Sequence, residues 1–257
     1  MLKASTRFGF PKQVLLLVGI LFLESTMIDF ILFPGWARSD TSTPIASNNK
    51  QAKGQVPGRK RGGARRGDCA ATSRELTALV PAIEVPTQTL PETYVGGSTT
   101  AEHPTFWFYV PYSITADLTA EFILQDDTGQ DIYRITSADF PSSEQTPGII
   151  SISIPSTISP LKIGKVYRWY FKLNCGLEAS SYVKGGIERI SLDPKLANQL
   201  ANASPQEQAK LYLTHDAWYD AATILAQLHR TNSIDKTIKS TWINLLRSIG
   251  LEDIPVN

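Results

Sequence analysis

The sequence predicts an α+β chain: an antiparallel, immunoglobulin-like β-sandwich followed by a small C-terminal helical hairpin or three-helix unit. Three observations carry that expectation. The run Pro104-Thr-Phe-Trp-Phe-Tyr-Val-Pro-Tyr112 is dense in aromatics and bounded by prolines, as a strand deep in a β domain would be. Short segments of period two recur as far as Ile190, separated by Pro- and Gly-containing turns. After Ser191 the apolar period lengthens to that of a helix.

The chain divides by composition before it divides by pattern. Lys3, Arg7 and Lys12 precede the apolar run Val14–Leu23, Glu24 interrupts it, and small residues stand at Gly35 and Ala37. This predicts a signal peptide over residues 1–37 and export to the periplasm, the cell envelope or the medium. A retained membrane anchor is the rival reading. The uninterrupted run is shorter than the ~20 residues that span a bilayer.

From Arg38 to Asp68 eight basic residues face two acidic ones, whereas from Cys69 onward fourteen face twenty, so a basic arm precedes an acidic body. Residues 38–68 hold few apolar side chains and read as a flexible arm. Within it, Arg59, Lys60, Arg61, Arg65 and Arg66 are candidates for contact with an anionic lipid or polysaccharide surface, the alternative being a solvated linker. Arg-Gly clusters would point to RNA in a cytosolic chain, but export argues against nucleic acid.

The body is read as residues 69–190. Export permits a disulfide between Cys69, which opens it, and Cys175, which ends a strong strand; two free buried thiols are the alternative. In the aromatic run, Phe106, Phe108 and Val110 share one face and Trp107 and Tyr109 the other. Leu118–Gln125 and Asp131–Thr136 flank an Asp/Gly-rich loop and predict a β-hairpin. Ile150, Ile152 and Ile154 alternate with Ser151 and Ser153, and Tyr167, Trp169, Phe171 and Leu173 alternate with Arg168 and Lys172. Gly185-Gly186, inside the segment Ser181–Ile190, predicts a bulge or sharp bend.

The helical region is read as residues 191–257. Leu192–Leu200 predicts a short first helix, and Ser204-Pro-Gln-Glu207 is a capping box with Pro at the first helical position. Trp218, Ala221, Ala222, Leu225 and Leu228 fall on one helical face; Ile238, Trp242, Leu245, Leu246 and Ile249 form another, ended by Gly250. The spacing from Ala209 to Ala222 resembles a single tetratricopeptide-type hairpin, which makes Tyr212, Trp218 and Tyr219 a candidate partner surface, packing being the alternative.

No catalytic set is apparent. His103, His215 and His229 lack metal-ligand spacing, and no Gly-x-Ser-x-Gly elbow, phosphate loop or dinucleotide fingerprint occurs. Asp126, Asp127 and Asp131 could attract calcium, although Asp is common in hairpin loops. Glu121 and Glu188 could work as acid and base only if the fold joined them. Tyr109, Tyr170 and Tyr182 would stack on sugars if they faced solvent together. No cofactor is implied.

Taken together, Gly58–Cys69, Leu76–Val80, Pro104–Tyr112, Ala120–Asp126, Tyr167–Phe171 and Trp218–Ala221 resemble the cyanobacterial family known as domain of unknown function 928. The resemblance implies an exported envelope protein with no assigned activity or catalytic residues. Its members' frequent proximity to genes for adhesin-like and signalling proteins favours a binding or adaptor role, with an envelope protein as partner. A glycan-modifying hydrolase is the alternative. The family's pattern has Gly and Leu before Trp-Tyr-Asp, where this chain has His215-Asp-Ala217.

Overall fold

Why the aromatic run organises the chain is visible in a computed structural model, which describes residues 51–62, 69–176 and 180–256. The strands are β1 (Val56–Pro57), β2 (Thr77–Ala78), β3 (Ala82–Val85), β4 (Glu92–Thr99), β5 (Thr105–Val110), β6 (Thr119–Gln125), β7 (Asp131–Thr136), β8 (Gly148–Ser153), β9 (Val166–Asn174) and β10 (Ser180–Arg189). The helices α1 (Pro194–Asn202), α2 (Pro205–Thr214), α3 (Trp218–Thr231) and α4 (Lys236–Arg247) follow.

The aromatic run is β5, the middle strand of a three-stranded sheet ordered β2-β5-β8. Its alternation sends Phe106 and Phe108 onto a seven-stranded sheet ordered β1-β4-β10-β9-β6-β7, with β3 also paired to β4. Phe108 stacks on Phe171 at 4.5 Å and Phe106 lies 4.9 Å from Phe122. The opposite face of β5 meets α3, where the Trp107 indole donates to Thr223 Oγ1 at 3.1 Å and the Arg230 guanidinium covers the Trp107 ring at 4.6 Å. Both faces of β5 are therefore buried, and each such side chain stabilises the fold by roughly 1.5–3 kcal/mol.

The protein is thus a mixed α+β fold with two open sheets and four helices among the described residues. This coarsens the expected sandwich in two respects. One neighbouring pair, β4 and β10, is parallel, so the large sheet is mixed. The tail has four helices rather than the two or three of the expected hairpin or three-helix unit, and Asp235 caps the last of them, α4. The capping box at Ser204 and Glu207 forms as expected, as does the β6–β7 hairpin.

The paired glycines of β10 serve close approach rather than a bulge: the β10–β9 register runs unbroken through Gly185 and Gly186. A Cβ on Gly185 would lie 2.5 Å from the Trp169 ring, and one on Gly186 would lie 2.3 Å from the Gly54 carbonyl oxygen. The second contact marks a fork. β4 and β10 pair from Gly96 and Gly186 onward and separate before that point. Residues 54–61 fill the gap, Val56–Pro57 pairing with β4 and Arg59 bridging Lys184 of β10. The expectation of a flexible arm up to residue 68 is corrected for residues 51–62: residues 56–59 pair with β4 and β10, and residues 60–62 bond residues 76–78. Residues 1–50, and with them the expected signal peptide, lie outside the described residues, as do Arg65 and Arg66.

A disulfide joins Cys69 to Cys175 with the Cα atoms 5.1 Å apart. It ties the chain just after the wedge to the end of β9. No helix among the described residues is long and apolar enough to cross a membrane.

Candidate binding face

One face of β9 is spent on the core, as Tyr167, Trp169, Phe171 and Leu173 are all buried. The other face carries Arg168, Tyr170 and Lys172, and the register extends it across the sheet. Residues directly opposite in neighbouring strands point to the same side. Lys184 opposes Tyr170, Tyr170 opposes Ile123, and Ile123 opposes Arg134. The Arg59–Lys184 bridge adds one more position, giving the row Arg59-Lys184-Tyr170-Ile123-Arg134. A second row, Tyr182-Lys172-Glu121-Thr136, runs beside it, and Arg168 opposes Gln125 in a third.

At about 4.8 Å per strand step the first row spans about 19 Å. Five cations occupy this face: Arg59, Arg134, Arg168, Lys172 and Lys184. Of the carboxylates on this face, Glu121 and Asp131 both bind Arg134, which raises its pKa further through those hydrogen bonds, and Glu188, opposite Val166, accepts from the Gly54 amide at 3.1 Å. Arg59, Arg168, Lys172 and Lys184 make no ion pair among the described residues. The Arg59 guanidinium instead lies 5.1 Å over the Tyr182 ring, which stays 38% exposed.

A family model, Domain of Unknown Function (DUF928), matches residues 61–256. The chain belongs to the DUF928 family. No curated protein matches it. The matched span of this DUF928 protein holds both sheets and all four helices, while β1 and Arg59 precede it.

The residues singled out from sequence separate into three groups. Of the basic cluster, Arg59 joins the outer face, but Lys60 and Arg61 turn to the C-terminal segment. Lys60 Nζ donates to the Ile249 carbonyl, and burial lowers its pKa to about 8. Arg61 forks onto Asp253 at 2.9 and 2.6 Å and holds that carboxyl below its ordinary range. These two cations anchor the wedge rather than facing an anionic surface.

Trp218 and Tyr219, expected at a partner surface, are interior residues. Trp218 donates from Nε1 to the Leu79 carbonyl at 3.1 Å, and its Cβ lies 3.1 Å from where a Gly97 side chain would begin. Tyr219 Oη donates to the Gly186 carbonyl at 2.8 Å and accepts from Trp169 Nε1 at 2.8 Å. Asp220 next to them accepts from the Thr100 amide and hydroxyl at 3.0 and 2.7 Å, and burial raises its pKa. Three consecutive side chains thus fasten α3 to the sheets. Tyr212 is half-buried beside them. Of the two readings of this segment, packing is the one the structure supports; helical periodicity fixes a buried stripe but not what covers it.

The remaining candidates are dispersed. Tyr109 is buried in the small sheet, whereas Tyr170 and Tyr182 share the outer face. Glu121 opposes Lys172 and Glu188 opposes Val166, six positions apart along β9 and so about 20 Å. The fold does not join them as acid and base. Asp126 closes its own hairpin loop by accepting from Thr128 and Gln130, Asp127 binds Lys165, and no metal-holding cluster occurs among the described residues. His103 and His215 each bond a nearby carbonyl oxygen, of Ile158 and Leu211, and His229 is buried.

Proposed function

We propose that this DUF928 protein is a non-enzymatic binding module that engages an anionic partner through the outer face of its large sheet. The observation that carries the reading is the in-register set Arg59, Arg168, Lys172 and Lys184 around two tyrosines, none of the four in an ion pair among the described residues, although Glu121 stands opposite Lys172 in the ladder. Ungrouped surface cations are ordinary, but several aligned on one sheet face of a chain whose body is otherwise acidic form a local field that attracts and orients anions. The adaptor role expected for the helices passes to the sheet, because Trp218 and Tyr219 are committed to the interior.

We read the protein as exported, in the periplasm, the envelope or the medium. The Cys69–Cys175 disulfide supports this, since such bonds persist in oxidising compartments. The cyanobacterial origin and the signal peptide belong to the same proposal.

Retention of the full chain on its native envelope tests the reading. The triple variant Arg168→Gln/Lys172→Gln/Lys184→Gln should wash off at lower salt than the wild type, because exposed ionic contacts are screened over about 10 Å at 0.1 M salt. Equal retention at every salt concentration would overturn it.

A further inference from the structure

We propose that the anion recognised by this face is an acidic polysaccharide, bound across the strands of the large sheet. The inference rests on the binding-face reading above and adds the ligand class. Lys184 stands directly opposite Tyr170, and Tyr182 directly opposite Lys172. Two tyrosines and two lysines therefore form a checkerboard on β9 and β10, with the Cβ atoms of opposed residues about 5 Å apart and those of the two tyrosines on the diagonal at about 7–8 Å. Arg59 flanks the checkerboard on the wedge side and Arg168 at its β9 end.

The pattern suits a chain of pyranose rings bearing carboxylate or sulfate groups. The Tyr170 ring, and the side of the Tyr182 ring that Arg59 leaves open, accept the apolar C–H face of a sugar, and a lysine beside each meets the anionic substituent with a charge-assisted hydrogen bond. Extent matters as well: the face is continuous over five strand positions, which suits an extended polymer better than a compact ligand.

Nucleic acid fits less well. Domains that bind it are strongly basic, whereas from Cys69 onward fourteen basic residues face twenty acidic ones. The disulfide supports export, and outside the cell polysaccharides, not nucleic acids, are the abundant polyanions. A lipid surface fits less well because attachment there draws on apolar side chains buried among the headgroups. The exposed aliphatic residues Leu90, Ile163, Leu192 and Ile234 all lie outside β6, β7, β9 and β10.

Affinity electrophoresis of the full chain through gels containing polygalacturonate tests the inference, with neutral dextran, phosphatidylglycerol vesicles and poly(dT) measured alongside by co-sedimentation or gel shift. Polygalacturonate should retard the wild type and dextran should not. Lys172→Gln/Lys184→Gln should weaken retardation at least about tenfold, the loss expected for two charge-assisted contacts. Tyr170→Leu/Tyr182→Leu should weaken it at unchanged net charge, and Lys195→Gln/Lys236→Gln, on the helices, should not. Thermal unfolding of each variant confirms that it is folded.

Retardation insensitive to both face variants, or equally sensitive to the helix variant, would overturn the inference. If vesicles or poly(dT) bind through Lys172 and Lys184 while polygalacturonate does not, the polysaccharide is wrong and the binding face stands. If none of the three polyanions responds to the face variants, and envelope retention does not respond either, both readings fall.

Discussion

Gly186→Ala should release the wedge formed by residues 54–61 while leaving the rest of the large sheet paired. The new methyl carbon would sit 2.3 Å from the Gly54 carbonyl oxygen and 2.8 Å from Val56 Cγ1, against about 3.5–4.0 Å at a comfortable contact. Something must move by about an ångström, and β10 is the less able to do so. It is paired over nine positions with β9 and over four with β4. Residues 54–59 of the wedge are held by less: two pairings of β1, the Gly58 amide on the Thr93 carbonyl at 2.8 Å, and the reciprocal Arg59–Lys184 bonds at 2.8 and 2.9 Å, the Lys60 and Arg61 contacts to Ile249 and Asp253 staying in place. Releasing it exposes Val56, worth about 2 kcal/mol, and breaks bonds of about 1 kcal/mol each, so full release bounds the cost at about 5 kcal/mol. Partial relaxation is the usual outcome of overpacking and costs about 1–3 kcal/mol. A fall in Tm of about 2–12 °C follows for a fold of this size. Hydrogen exchange should locate the loss at the amides of Gly58 and Arg59, with protection kept in β6 and β9. A variant as stable as the wild type, or one whose protection falls uniformly, would refute the argument that the fork is closed by glycine-mediated contact.

Further expectations concern the joints of the fold. Asp216 adopts φ 60°, where a side chain is strained and glycine is not; Asp216→Gly should stabilise by about 0.5–1 kcal/mol, the strain relieved less the added chain entropy, and destabilisation in denaturant titration would show that the aspartate side chain is used. Replacing Cys69 and Cys175 by Ser opens a loop of sequence separation 106, which the chain-entropy relation makes worth about 4.8 kcal/mol. Thermal unfolding should then drop by about 10–20 °C, and an unchanged midpoint would contradict a bridge in the purified protein. For Lys60 the sign runs toward alkali. Its folded pKa is about 8 and its ordinary value 10.5, so between those limits the unfolded chain holds more proton and stability rises with pH. The rise is about 3 kcal/mol in all. Lys60→Met should remove it, and identical pH profiles from pH 7.5 to 10.5 would show that Lys60 is solvated.

Much of this architecture was legible wherever neighbours in sequence decide the outcome. The alternation from Tyr167 to Leu173, the proline-bounded run at β5, the hairpin around Gly129 and the capping box at Ser204 all depend on contacts within a few residues or on a pleat of period two. The misread segments are those where long-range contacts override composition. Gly58-Arg-Lys-Arg-Gly62 looks like a solvated arm because it lacks apolar side chains, yet its glycines let two strands approach. A Cβ on Gly58 would lie 2.6 Å from the Lys184 carbonyl oxygen and one on Gly62 2.2 Å from Ser181 Oγ. Its cations find partners almost two hundred residues away, at Ile249 and Asp253. The parallel pairing of β4 with β10 was hidden for the same reason, since nothing local marks which strands become neighbours.

The candidate face shows how the two kinds of information combine. Arg168 and Lys172 were visible on the polar side of β9 from alternation alone, where they read as ordinary solvent-facing charges. What turns them into a site is register. A one-residue slip of β10 against β9 would turn Tyr182 and Lys184 inward and bring Val183 out. That slip is blocked from the core side, because Gly185 is the one residue that fits over the Trp169 ring and Gly186 carries the carbonyl that both Trp169 and Tyr219 bond. The buried contacts that fasten α3 therefore also fix the spacing of lysines and tyrosines on the opposite side of the sheet. On this reasoning Tyr219→Phe, which removes a buried hydroxyl at a cost of about 1–3 kcal/mol, should lower stability while leaving polygalacturonate retardation of the folded fraction unchanged, because Trp169 still donates to Gly186 at 3.1 Å. Loss of retardation in a variant still folded by near-ultraviolet circular dichroism would show that the register depends on the tyrosine hydroxyl itself.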